Sequence, residues 1–188
     1  MDDFGVWELV PPPPGCRPLG NKWVFRIKKD KAGVVERLKA RLTIQGFRMR
    51  EGRDYDETWA PTGRLRTFRA LMAEASFGSF STAQWDCTCA FLHAYLDKPV
   101  YMRQPPGTAI PGQEHYVCRL IKAIYGTKQA SHLFGKLVES SLLGFNDPAT
   151  GLVVTKSTAD DCLFLCTRGK DVMRILTHCD DFAVTFNS

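Results

Sequence analysis

Two adjacent aspartates are the residues of this sequence whose types and spacing first suggest chemistry. Asp180 and Asp181 stand between two apolar stretches, 173–178 and 182–186, which read as strands joined by a tight turn. Neighbouring carboxylates repel each other unless a cation lies between them. Asp-Asp is also a common turn dipeptide, because aspartate bonds its own backbone, so this pair alone leaves a metal site and a plain turn both open.

A third aspartate favours the metal site. Asp86 ends an apolar strand at 82–87 and is followed by an uncharged stretch that runs to Leu92. If this strand neighbours the Asp180–Asp181 turn, three carboxylates meet at one end of a sheet. Such an oxygen ligand set suits two Mg²⁺ ions, with Mn²⁺ as an alternative. Two such ions support phosphoryl transfer, one activating an attacking 3′-hydroxyl and the other neutralising the leaving pyrophosphate.

The thiols offer a different metal site. Cys87, Cys89 and His93 form a short run of zinc-type ligands, to which His178 and Cys179 could add. Zinc sites usually contain two paired elements with wider spacing, and the second pair is not evident here. The seven cysteines are an odd number and several lie in apolar runs, so we do not expect a disulfide framework.

The elements that must position these residues are mixed helices and strands, which predicts an α+β fold. Apolar residues at helical spacing predict helices at 64–77 and 127–143. After an irregular proline-rich opening, strands are expected at 22–28, 37–44, 82–87, 100–103, 115–120, 162–167, 173–178 and 182–186. The simplest arrangement is one antiparallel sheet backed by helices.

Positive charge is concentrated near the start of the chain. Residues 17–53 carry 12 Lys/Arg against 3 Asp/Glu, whereas the rest of the chain carries 13 against 17. From Arg37 to Ile44 cations alternate with apolar residues, so Leu38, Ala40, Leu42 and Ile44 should face the core and leave a row of cations outside. A row of this kind is either a solvated face or a nucleic-acid-binding surface.

The 188 residues are 44% hydrophobic and 24% charged, a composition typical of a globular protein. No stretch reaches the roughly 18 apolar residues of a membrane span, and the N-terminus lacks the pattern of a signal peptide. A cytoplasmic or nuclear location, with no membrane partner, is therefore expected.

A series of motifs resembles the reverse transcriptase of copia-type retrotransposons, in the same order along residues 7–187. The matching segments are Lys22–Lys28, Arg37–Leu42, Gly46–Phe47, Arg50–Gly52, Asp54–Pro61, Asp86 with Ala90–His93, Val100–Pro105 and Tyr125–Ala130. The resemblance implies a fingers-plus-palm polymerase fold with no thumb. It further implies an N-terminal arm at 1–20, a fingers-like basic hairpin and first helix at 21–80, and a catalytic palm at 81–188.

The resemblance also implies residue roles. Asp86, Asp180 and Asp181 would hold the metal ions, Lys39 and Arg41 would grip the triphosphate, and Phe91 would be a steric gate against the 2′-hydroxyl. Without the resemblance, Phe91 reads as a plain core aromatic. The pocket for the template and the nascent pair would be shaped by Gly126, Lys128 and Gln129, and the nucleic-acid-binding cations would be Lys22, Arg26, Lys28 and Arg37.

The chain departs from the family pattern near its candidate catalytic residues. His178 and Cys179 replace the usual tyrosine and small apolar residue, Ala94-Tyr95 replaces Gly-Asp, and Ser131-His132 replaces Pro-Arg. With no sequence left for a thumb or a ribonuclease H, the expectation is a truncated RNA-directed DNA polymerase with weak or no activity alone. The alternative is a non-catalytic nucleic-acid-binding relic.

The implied partners are an RNA template, a DNA primer, deoxynucleoside triphosphates, and the remainder of a Pol polyprotein or a second subunit. A virus-like particle in the cytoplasm would be one setting for such an enzyme, and the nucleus another.

Overall fold

A computed structural model describes residues 4–78 and 80–187, which form an α+β structure of ten strands and two helices. The strands are β1 (Trp7–Val10), β2 (Asn21–Lys29), β3 (Val35–Ile44), β4 (Ser81–Asp86), β5 (Tyr95–Arg103), β6 (Val117–Lys122), β7 (Val153–Lys156), β8 (Leu163–Arg168), β9 (Asp171–His178) and β10 (Asp181–Phe186). The helices are α1 (Leu65–Gly78) and α2 (Ala130–Leu143). Both helices and all eight predicted strands are present, with ends shifted by a few residues.

The expected single sheet is wrong, because the strands form three antiparallel sheets. Their orders are β1-β6-β5, β4-β10-β9-β8-β7 and β2-β3. The opening segment is not wholly irregular either, since β1 pairs with β6 along its length. These contacts divide the described chain into two compact units, made of residues 4–58 with 91–133 and of residues 59–90 with 134–187. The assignment of fingers and palm stays a prediction.

The first unit contains the three-stranded sheet and the basic hairpin β2–β3. Its core is built from aliphatic residues, among them Val6, Leu19, Leu42, Val100, Met102, Leu120 and Ile124. The base of the hairpin is anchored by the Ile44 N–H, which donates to the Tyr125 carbonyl at 2.9 Å. Towards its tip both faces are in solvent: Leu38 is 73% exposed and Ala40 is also exposed. The expectation that both residues face a core is therefore wrong, although Leu42 and Ile44 do so.

The second unit is the five-stranded sheet with one helix on each face. On one face Leu71 of α1 packs against Cys162 and Leu176. On the other, Leu142 of α2 packs against Ile175 and Val184. Because side chains alternate along a strand, the neighbours Ile175 and Leu176 serve opposite faces, and the sheet is covered on both.

Two further findings concern the whole described chain. Its seven cysteines are all free thiols. Among residues 4–78 and 80–187, no helix is both long enough and apolar enough to span a membrane.

Candidate active site

The end of the five-stranded sheet brings Asp86 and Asp181 together. The two residues are directly opposite each other in the antiparallel pair β4–β10. In such a pair the side chains project to the same face, with Cβ atoms about 5 Å apart. The Cys87 N–H extends the contact by donating to the Asp180 carbonyl at 2.8 Å. Asp86, which precedes the adjacent pair Asp180 and Asp181 by 94 residues in the sequence, therefore lies with them at one exposed end of the sheet.

The turn that carries Asp180 has an unusual backbone. Cys179 and Asp180 form the whole connection between β9 and β10, and Cys179 has a φ of 55°. A positive φ at the first of two central residues is the pattern of a type II′ hairpin turn, in which glycine is preferred. Cys89, three residues beyond Asp86, has a φ of 56°. These two are the positive-φ residues other than glycine within the described chain, and strained backbone of this kind tends to cluster at functional sites.

A pocket of about 490 Å³ adjoins Asp181 on the α1 face of the sheet. Leu65 and Phe68 of α1 line its apolar side. Its polar side includes Gln84, whose Nε2 donates to Asp181 Oδ1 at 3.3 Å, and His178, whose Nδ1 lies 3.3 Å from the Gly63 carbonyl oxygen. One catalytic candidate therefore borders a cavity of a size that holds small ligands.

The electrostatics of the site are visible in its thiols. The pKa of Cys87 is raised by burial and then by the negative charges of Asp86 and Asp180. Burial, with the charges of Asp180 and Asp181, likewise raises the pKa of Cys179. Both thiols therefore lie close to the negative charges of the aspartates, and this negative charge favours binding of a cation.

The donor set fits a hard divalent cation in type. Asp86 and Asp181 are exposed carboxylates, and like charges placed directly opposite each other are destabilising unless a cation bridges them. Within the part of the chain that the structure describes, no three His, Cys, Asp or Glu side chains converge closely enough to hold a metal. The zinc alternative built on Cys87, Cys89, His93, His178 and Cys179 therefore finds no support, and the roles of the three aspartates remain a prediction.

In the first unit the hairpin β2–β3 carries a cationic face. The register places Arg26 opposite Lys39 and Lys28 opposite Arg37, so these four side chains share one face. Lys22 and Arg41 lie on the same face, closer to the base of the hairpin. Crowding is evident in the pKa of Lys39, which is lowered chiefly by the charge of Lys28 and further by slight burial and by Arg37 and Arg41. A surface of mutually repelling cations favours a polyanionic ligand.

At the base of this face, Arg41 joins an aromatic cluster. Its guanidinium lies over the Tyr125 ring, 5.3 Å from the centroid. The Tyr125 ring in turn meets the Phe91 ring edge to face, at a centroid distance of 5.2 Å and an interplanar angle of 69°. Two of the predicted nucleotide-binding residues are thus joined by a third residue for which the sequence suggested no role.

The remaining candidates are placed differently. Gly126 has a φ of 92°, and a Cβ there would lie 2.3 Å from the Ile44 carbonyl oxygen, so only glycine fits. Lys128 is exposed, and its Nζ donates to the Tyr55 hydroxyl at 3.1 Å. Gln129 is fully buried and its Nε2 donates to the Asp54 carbonyl at 2.9 Å, which is a structural contact in this conformation.

Sequence reasoning missed Tyr125, Gln84 and the pocket beside Asp181. Tyr125 belongs to the motif Tyr125–Ala130, but only the three-dimensional contacts reveal that its ring links Arg41 with Phe91. Gln84 carried a usable signal, because it precedes Asp86 by two residues on a strand and so shares its face.

Nearly the whole chain is similar to known proteins. Residues 4–187 match the family model described as "Reverse transcriptase (RNA-dependent DNA polymerase)". The Retrovirus-related Pol polyprotein from transposon RE2 of Arabidopsis thaliana is 38% identical over 183 residues, which is 97% of this chain and 12% of that protein. The corresponding polyprotein from transposon RE1 is 37% identical over the same shares. The one from transposon TNT 1-94 of Nicotiana tabacum is 41% identical over 67% of this chain and 10% of its own length.

This chain therefore spans about 12% of the length of the first two relatives. No solved structure gives a significant match. The family model covers nearly every residue, and two relatives exceed 30% identity across almost the whole chain. The chain belongs to the reverse transcriptase (RNA-dependent DNA polymerase) family.

Proposed function

We propose that this chain is the catalytic core of an RNA-directed DNA polymerase within a retrotransposon Pol polyprotein, with residues 21–80 acting as fingers and residues 81–188 as palm. Its substrates are an RNA template, a DNA primer and deoxynucleoside triphosphates. The single observation that carries the proposal is that Asp86 lies directly opposite Asp181 on the neighbouring strand. The Asp180 carbonyl lies at the same end, where it accepts a hydrogen bond from the N–H of Cys87, the residue after Asp86. Family membership supplies the reaction class.

Asp86, Asp180 and Asp181 would hold two Mg²⁺ ions. When bound, such ions lower the pKa of the primer 3′-hydroxyl and neutralise charge on the leaving pyrophosphate. The chain's own contribution is to hold Asp86 and Asp181 on two hydrogen-bonded strands, with Asp180 in the two-residue turn that leads into β10, which limits their motion. Gln84 adds to this by donating a hydrogen bond that orients one oxygen of Asp181.

The first unit supplies the groups that recognise anions and sugars. Lys39 and Arg41 would bind the triphosphate, since guanidinium and ammonium groups form charge-assisted hydrogen bonds with phosphate oxygens. The outer cations Arg26, Lys28 and Arg37 would contact the nucleic-acid backbone. Phe91 would occupy the space of a ribose 2′-hydroxyl and so favour deoxynucleotides.

A second candidate function is nucleic-acid binding without catalysis. It is favoured by the cationic face of β2–β3, which is exposed and does not depend on the carboxylates. Under this alternative the carboxylate end of the sheet is a relic of a polymerase, and the hairpin alone retains a function.

A primer-extension assay separates the two candidates. The chain, at high concentration with Mg²⁺ or Mn²⁺, is given an oligo(dT) primer on a poly(rA) template with dTTP, beside Asp86→Asn and Asp180→Asn variants. The proposal expects extension by the native chain and loss of extension in both variants. Binding of the primer–template with no extension at any metal concentration would contradict catalysis and support the second candidate.

A further inference from the structure

The backbone of Tyr125 is locked against the end of β3. The Ile44 N–H donates to its carbonyl at 2.9 Å, and Thr43 pairs with it in a parallel bridge. The next residue, Gly126, approaches so closely that a Cβ there would lie 2.3 Å from the Ile44 carbonyl oxygen. Likewise, a Cβ on Gly46 would lie 1.8 Å from the Gly126 carbonyl oxygen. The position of Tyr125 relative to the basic strand is therefore fixed by backbone contacts with the end of that strand and the residues after it.

The half-buried ring of Tyr125 has two neighbours of opposite character. Arg41 is two residues before Thr43 on β3, and its guanidinium lies 5.3 Å from the centroid of the Tyr125 ring. Phe91 presents its ring edge to face on the same side chain at 5.2 Å. A cation over an aromatic face and an edge-to-face ring pair each have a preferred geometry, so one ring orients both partners.

From these contacts we infer that Tyr125 is a positioning residue that couples phosphate binding to sugar selection. The inference rests on the proposed function, in which Arg41 binds the triphosphate and Phe91 excludes the 2′-hydroxyl. Tyr125 holds the guanidinium at a set distance from the Phe91 ring, so the phosphates and the sugar of one nucleotide are recognised at a fixed spacing. Loss of the ring frees both side chains and lowers the affinity and the sugar selectivity together.

The experiment is equilibrium binding of dATP and of ATP to the chain with Mg²⁺, because these two nucleotides differ only in the 2′-hydroxyl. Tyr125→Leu removes the ring and keeps an apolar side chain, and Tyr125→Phe restores the ring. Tyr95→Leu is the matched control: Tyr95 also has a cation over its ring, the Lys122 ammonium at 5.2 Å, and lies elsewhere in the same unit. Circular dichroism melting checks that each variant is folded.

The expected result for Tyr125→Leu is a roughly three- to tenfold loss of dATP affinity and a several-fold fall in the preference for dATP over ATP. Tyr125→Phe should recover both values, and Tyr95→Leu should match the native chain. In a Phe91→Ala background, Tyr125→Leu should no longer change the preference, because the gate that it positions is gone. An effect of Tyr125 on the preference that does not act through Phe91 would persist in this background.

Arg41→Met provides an arm that holds even if Tyr125→Leu does not fold. If the Tyr125 ring couples Arg41 to Phe91, this variant should change the preference for dATP over ATP as well as the affinity. If Arg41 and Phe91 act independently, only the affinity should change. An unchanged preference in folded Tyr125→Leu, or in Arg41→Met, would overturn the inference while leaving the proposed function standing. A native chain that binds neither nucleotide would instead remove the proposed function, and the inference with it.

Discussion

Asp86 lies directly across from Asp181 on the neighbouring strands β4 and β10, so two exposed carboxylates share one face at the end of a sheet. Neither takes part in an ion pair within the described residues. Two like charges in direct opposition are less stable than a neutral pair at this position would be. The arrangement therefore costs some stability, which supports the proposed cation site at this end of the sheet.

Neutralising one carboxylate should stabilise the metal-free chain. Asp86→Asn or Asp181→Asn removes the cross-strand repulsion and should raise the melting temperature in EDTA by roughly 1–2 °C. The double variant should gain little more than either single one, because the repulsion needs both charges. Thermal unfolding by circular dichroism measures this, with the exposed Asp97→Asn as control. Additive gains, or none at all, would contradict a direct opposition of charges.

Asp160 should make the second unit acid-sensitive. Asp160 is only 3% exposed. Its carboxylate accepts hydrogen bonds from the Thr67 hydroxyl at 2.6 Å, the Arg64 N–H at 3.1 Å and the Cys162 N–H at 3.0 Å. These bonds connect the segment before β8 to the start of α1. Burial raises the pKa of Asp160, but these hydrogen bonds outweigh burial and leave it lowered. Because the pKa of Asp160 is lower in the folded than in the unfolded chain, its ionised form stabilises the fold. This stabilisation is complete above the pKa of the unfolded chain and is lost as the pH falls through the pKa of the folded chain.

Asp160→Asn should therefore lower the free energy of unfolding by about 1–3 kcal/mol at neutral pH. The difference from the native chain should shrink at acidic pH, where the native carboxylate becomes protonated. Urea unfolding of the native chain and the variant at pH 7 and at about pH 3 measures the difference. The neighbouring Asp161→Asn is a matched control, since Asp161 is exposed and its long pair with Lys156, at 3.7 Å, should contribute little. Equal costs for the two substitutions would contradict the account of Asp160.

Gly46→Ala should strongly destabilise the first unit. The added Cβ would lie 1.8 Å from the Gly126 carbonyl oxygen, and both partners are backbone, so neither can turn away. We expect a loss of about 3 kcal/mol or more in unfolding free energy. Gly135→Ala is the matched control: it lies within α2 with nothing outside the helix within 4 Å, and should be neutral or gain about 0.5–1 kcal/mol. Similar behaviour of the two variants in urea unfolding would refute the close approach at Gly46.

The cationic face should set the salt dependence of nucleic-acid binding. Replacing Arg26, Lys28 and Arg37 by glutamine should reduce the slope of log K against log salt by about 2 for a single-stranded oligonucleotide. Fluorescence anisotropy of a labelled RNA across a salt series measures the slope. The control is a second triple variant with the same change in charge. It replaces three exposed cations of the second unit by glutamine: Arg69, Lys136 and Lys170. Equal slopes for the two triple variants would place the binding surface elsewhere.

Local pattern was sufficient to predict much of this molecule. The alternation in β3 predicted one cationic face, and the apolar spacing predicted α1 and α2 to within a few residues. The position of Asp86 at a strand end, with Asp180 and Asp181 in a turn, predicted that these residues lie at one end of a sheet, and the β4–β10 register places Asp86 opposite Asp181. Their role in holding metal ions stays a prediction.

The features that were missed depend on non-local contacts. Alternation separates two faces of β3 but does not say what covers them, so the exposure of Leu38 could not be read from it. The strand β1 is only four residues long and stands beside a proline run, and its pairing with β6 joins segments about 110 residues apart. The link from Arg41 through Tyr125 to Phe91 joins three separate segments and has no local signature.

Manganese binding to the carboxylate end of the sheet tests the central claim most directly. Mn²⁺ substitutes for Mg²⁺ at oxygen sites, and its electron paramagnetic resonance signal reports the free ion. We expect saturable binding by the native chain, weakened about tenfold or more in Asp86→Asn and in Asp181→Asn and unaffected in Asp97→Asn. Binding of equal strength in the native chain and in the Asp86→Asn/Asp181→Asn double variant would contradict it.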